Sequence, residues 1–113
     1  IHAIEVDPDG NPLDVYPFAG VVGTGMYDGM GVDACGNVYV CDYGSTTVYR
    51  ITSDGASWDP VADLGGDSTW IPNMQWGSGI GGWDAHALYV TDILPEFTYE
   101  VHLGVPSKPR PFP

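Results

Sequence analysis

Val38-Tyr-Val-Cys-Asp42 and Leu88-Tyr-Val-Thr-Asp92 are one pattern written twice, 50 residues apart. Each is a short apolar, β-branched run closed by an aspartate, which reads as a buried strand ending in a turn. The segments downstream repeat at the same offset, with Val48-Tyr-Arg-Ile51 returning as Thr98-Tyr-Glu-Val101. Upstream, Ala3-Ile-Glu-Val-Asp-Pro-Asp-Gly10 matches Val48-Tyr-Arg-Ile-Thr-Ser-Asp-Gly55 at an offset of 45. Units of this length built from short strands are the signature of β-propeller blades. The 113 residues hold fewer than three such units, and a blade cannot bury both faces without neighbours. The chain is therefore expected to be a piece of something larger.

The turn chemistry sets the strand count. Asp7-Pro-Asp-Gly10, Ala34-Cys-Gly-Asn37, Gly44-Ser-Thr-Thr47 and Ser53-Asp-Gly55 punctuate the apolar runs; Pro presets φ, and Gly takes the positive φ that such turns need. Strands are expected near 1–7, 13–18, 29–33, 38–42, 48–52, 58–64, 73–76, 87–93 and 97–103. They fall into groups of two, four and three. This places the second half of a blade at 1–19, a complete four-stranded blade at 20–66, and a last blade lacking its fourth strand at 67–104. A proline-rich tail follows at 105–113. Gly77–His86 enlarges the first turn of the last unit by about six residues relative to Ala34-Cys-Gly36. The tail is expected to run over the surface, because prolines lack the N–H a ladder requires. The resulting fold class is all-β: about two and a quarter four-stranded blades, read as the C-terminal part of a six-bladed propeller.

Composition removes several function classes. Fifteen Asp and Glu against three Lys and Arg give a formal net charge of −12, which repels phosphate backbones and anionic lipid. Neither a nucleic-acid partner nor a membrane span is expected, since no apolar run approaches ~18 residues. Twelve of the acids are Asp, a balance that turn chemistry, calcium affinity and adaptation to high salt would each produce. Cys35 and Cys41 flank a strand, putting their Cα atoms roughly 20 Å apart and too far for a mutual disulfide. An exported location, secreted or periplasmic, is favoured, with a cytoplasmic one left open.

From Tyr27-Asp-Gly-Met-Gly-Val-Asp-Ala-Cys-Gly-Asn-Val-Tyr-Val-Cys-Asp42 through Val48-Tyr-Arg-Ile-Thr-Ser-Asp-Gly55, the chain resembles the gluconolactonase/regucalcin (senescence-marker protein) family of six-bladed propellers. Ile71-Pro-Asn-Met-Gln-Trp-Gly77 and Ala87-Leu-Tyr-Val-Thr-Asp92 resemble that family's last blade. NHL-type repeats share the blade pattern; the order of an Asp-Gly-Met blade before a Pro-x-Asn blade narrows it. The resemblance implies a divalent cation, commonly calcium, in a central tunnel, with Asp28 as ligand and possible proton acceptor and Asn73 as a further oxygen donor. The competing readings are an Asx-turn at Asp28 and a turn-closing amide at Asn73. Tyr27 and Trp76 are the candidate substrate-binding side chains, an aromatic wall for a lactone or sugar ring. The family's other ligands, a Glu in the first blade and Asn residues in middle blades, have no counterpart here.

Other candidates read as structural. Asp42 and Asp92 end equivalent strands and are expected to cap turns. His2, His86 and His102 lack zinc spacing, and Ser45, Ser57 and Ser78 lack a nucleophile elbow. Two functions follow: part of a metal-dependent, lactonase-like hydrolase acting on a small lactone or ester, or a non-catalytic propeller module that binds or scaffolds in an extracellular or periplasmic assembly. The expected partners are the remaining blades, in the same longer polypeptide or in another chain. The hydrolase reading requires them, whereas the short donor set and exposed blade edges favour the scaffold reading for the chain by itself.

Overall fold

A computed structural model describes residues 1–65, 70–94 and 96–109. The protein is all-β, with nine strands in three antiparallel sheets. The first sheet is a hairpin of β1 (His2–Val6) and β2 (Pro12–Pro17). The middle sheet runs in chain order through β3 (Tyr27–Val32), β4 (Val38–Asp42), β5 (Thr47–Ile51) and β6 (Trp58–Asp63). The third contains β7 (Asn73–Trp76), β8 (Ala87–Thr91) and β9 (Thr98–His102). The grouping of two, four and three is the one the turn spacing predicts. None of these sheets closes on itself among the described residues, nor is any described helix long and apolar enough to cross a membrane. The boundary expected at 66–67 and the last four residues of the tail lie outside the described residues.

β4 explains the arrangement. Its Val-Tyr-Val-Cys sequence has no polar alternation because both its faces are covered. Tyr39 and Cys41 point into a core shared with the third sheet, alongside Val48, Ile71, Met74, Trp76, Leu88 and Val90. Val40 points the other way, into a smaller core with Val22 and Ile51, closed by Ile1, Phe18 and Ala19 at the base of the hairpin. Burying each large side chain contributes about 1.5–3 kcal/mol before entropy is charged against it.

The third sheet is one-sided at its first strand. In β7, Met74 and Trp76 are buried while Asn73 and Gln75 face out, the alternation of a sheet with one wet face. The hairpin instead projects from the molecule. Ile4 pairs with Val15, and Ile4, Val6, Leu13 and Val15 are each more than half exposed. The radius of gyration is 14.5 Å, above the ~13 Å of a compact chain of about 100 residues.

One expectation is corrected and another is refined. β3 begins at Tyr27, two residues before the expected start, because Tyr27 pairs with Asp42 across a bulge that places Asp28 and Gly29 opposite Cys41. The tail does run over the surface, with Lys108 and Pro109 exposed, but it is also bonded: the Lys108 N–H donates to the Val32 carbonyl at 2.8 Å, and Ala34 N–H donates to the Pro106 carbonyl at 2.9 Å. Ser107 bridges Asp33. The prolines withhold their own N–H groups, but Pro106 still accepts and Lys108 still donates, which suffices to strap the tail to the edge of β3.

Candidate functional site

The first strands of the middle and third sheets come together where neither pairs with another strand of its own sheet. A Cβ built on Gly29 would lie 2.6 Å from Asn73 Cα, and one on Gly31 would lie 2.7 Å from the Trp76 ring. Only glycine permits so close an approach. The matching order, 29 against 73 and 31 against 76, means that β3 and β7 run in the same sense. Asp28 and Asn73 therefore open two neighbouring edge strands at one end of the molecule.

Asp28 is exposed and sits in the bulge, where strands commonly re-aim a side chain. Among the described residues it accepts no hydrogen bond, so the Asx-turn alternative is not formed. Its charge is felt across the bulge: the Cys41 thiol is pushed up to about 12, first by burial and then by Asp28. Asn73 is also exposed, but its Oδ1 accepts from Met74 N–H at 2.8 Å and its carbonyl accepts from Thr91 Oγ1 at 3.2 Å. Part of its acceptor capacity thus serves its own strand.

The two aromatic candidates are differently placed. The Tyr27 hydroxyl donates to the Val22 carbonyl at 2.8 Å and accepts from the Val22 N–H, fixing the loop that leads to Asp28. Trp76 is only 6% exposed. Its ring meets Tyr39 edge-to-face at 5.2 Å, and its Nε1–H donates to the Val105 carbonyl at 2.9 Å. It belongs to the core and also lines one wall of a cavity of about 590 Å³ between β3, β7 and the tail.

Asp42 does cap a turn. Its buried carboxylate accepts from Thr24 N–H and Oγ1, from Gly44 N–H and from Ser45 Oγ. Burial pushes its carboxyl up, but those four bonds together outweigh burial and hold it below the usual range. Asp92 accepts from Trp70 N–H and Leu94 N–H. Asp33 and Asp7 each bind the residue two on and the Asn four on, at Asn37 and Asn11. Much of the acidity is thus turn chemistry. His86, in the enlarged loop, is a solvated side chain 3.6 Å from Asp84, and His102 lies 3.7 Å from the same carboxylate.

Sequence reasoning missed two features at this site. Tyr43 stacks on Trp70 at 5.0 Å with the rings 5° from parallel, a pairing between sheets that no periodicity encodes. Lys108 reaches the cavity; its signal was its rarity, as one of only three basic residues.

As donors for a hard cation, the Asp28 carboxylate and the Asn73 amide are right in kind. They are too few in number, since calcium takes about six to eight oxygens, and no group of three His, Cys, Asp or Glu able to hold an ion occurs among the described residues. No protein-family model, curated protein or solved structure matches the chain.

Proposed function

We propose that this chain is the C-terminal part of a six-bladed propeller of the gluconolactonase type, supplying part of a metal-dependent, lactonase-like active site. The observation that carries the reading is the Asp28-Gly29 bulge of β3 seated against Asn73 of β7, two oxygen-bearing side chains at the heads of strands running in one sense. A divalent cation held there supplies Lewis-acid polarisation of a lactone or ester carbonyl. Asp28 contributes a carboxylate with no competing hydrogen bond from a described residue, fit to ligate or to take a proton. Asn73 contributes an amide oxygen, and the Tyr27–Val22 pair steadies the approach. The remaining donors belong to blades outside this chain, and the location is secreted or periplasmic.

The second reading, a non-catalytic binding or scaffold module, is favoured by the short donor set. Intact mass under native and denaturing conditions, with and without a calcium chelator, separates the two. The hydrolase reading expects the missing blades to accompany the chain, chelation to lower the melting temperature, and Asp28→Asn to abolish that chelator effect. A chain that travels alone, with a melting temperature indifferent to chelation, removes the hydrolase reading and leaves the scaffold.

A further inference from the structure

We infer that the cavity between β3, β7 and the tail is a binding site for a small organic anion with an apolar body, an aromatic or branched monocarboxylate. It uses neither Asp28 nor Asn73, so it stands or falls apart from the metal reading.

The cavity holds about 590 Å³, within the ~300–1,000 Å³ of small-molecule sites. Its walls are mostly apolar, with Met30 and Val32 from β3 and Met74 and Trp76 from β7. Two thioethers facing one space make an adaptable lining that favours flat, polarisable groups. The polar residues that line it are Gln75 from β7 and Ser107 and Lys108, the last two brought by the tail. That placement is fixed rather than incidental, because the Lys108 N–H is bonded to Val32 and Ser107 bridges Asp33.

Charge selects the ligand. In a chain of fifteen acids and three Lys and Arg, a cation would ordinarily find a carboxylate. Arg50 does, pairing with Asp59 at 3.1 Å. Lys108 makes no ion pair with any described residue, and no carboxylate lines the cavity it borders. An unneutralised ammonium over an apolar wall complements a carboxylate attached to a hydrophobic group and repels a cation of the same shape.

Methionine methyl resonances test this directly, because the chain has three methionines and Met26 lies outside the cavity as an internal reference. The full chain, labelled at the methionine methyls, is titrated with 2-naphthoate and, separately, with 2-naphthylmethylammonium. The inference expects naphthoate to shift Met30 and Met74 saturably while Met26 holds still, with the ammonium compound leaving all three in place. Lys108→Met, an exposed position whose backbone bond survives the change, should weaken naphthoate about fivefold, the scale of a half-solvated ion pair. Met30→Trp, which fills the cavity from an exposed position, should abolish the Met74 shift. The inference is overturned if naphthoate moves no methyl, if all three move alike, if the ammonium binds as well, or if Lys108→Met binds unchanged.

Discussion

Replacing Asp42 by alanine is the most informative single perturbation of the fold. Four donors converge on this one buried carboxylate: Thr24 N–H and Oγ1, Gly44 N–H and Ser45 Oγ. The two hydroxyls can turn toward water, so their loss costs little. The two N–H groups are fixed by the backbone, and each donor left unsatisfied costs about 1–3 kcal/mol. Water reaches the exposed Thr24 and Gly44, so the lower part of that range applies to each, and the sum is about 2–3 kcal/mol. A chain of this size has about 5–15 kcal/mol of total stability, so the change should be plain in urea unfolding as a lowered midpoint at unchanged slope. The pH dependence follows from the lowered carboxyl. The folded state holds Asp42 below its ordinary 3.8, so its contribution is complete above that value and disappears as pH falls through the folded pKa. The gap between wild type and Asp42→Ala should therefore be constant from pH 7 to about pH 5 and narrow in more acid solution. A gap under ~0.5 kcal/mol at pH 7, the size of an ordinary surface change, or one that widens toward acid, would refute the account of Asp42 as a turn-holding hub.

Gly29→Ala should destabilise by about 1–3 kcal/mol as an overpacked contact, because its new methyl meets Asn73 backbone at 2.6 Å, whereas Gly20→Ala, with nothing within 4 Å, should stay within ~0.5 kcal/mol; paired urea melts give both numbers. Thiol labelling of the native protein at pH 8 should consume Cys35 rapidly and leave Cys41 unreacted, since the first is exposed, the second buried, and burial with Asp28 pushes the Cys41 thiol up to about 12. Both should react in urea, and rapid native labelling at two sites would contradict the packing of β4.

How much of this was readable beforehand depended on range. β4, β5 and β8 were legible because each is an apolar run bounded by turn residues, and the Asp-capped ends of β4 and β8 repeat with them. The placement of Trp76 was also legible in principle: it shares a face with Met74, two residues earlier, and alternation sends both inward. Being part of the core does not remove it from the wall of the cavity it lines. The strapped tail was hidden because four prolines in 105–113 argue against a ladder, while one bridge needs only one donor and one acceptor. The nearness of Asp28 to Asn73, and the stack of Tyr43 on Trp70, depend on how one sheet lies against another. No local period records that distance.

The double coverage of β4 has a consequence for substitutions. Tyr39 and Val40 are adjacent in the chain yet answer to different neighbours, one to Trp76 and the third sheet, the other to Val22 and Ile51. Changes at these two positions share few side-chain partners and should combine nearly additively, while Tyr39 and Trp76, far apart in sequence, share a contact and should not. Energetic kinship in this molecule follows the cores and crosses the chain, so on the strand shared by two cores, residues next to each other in sequence should vary nearly independently.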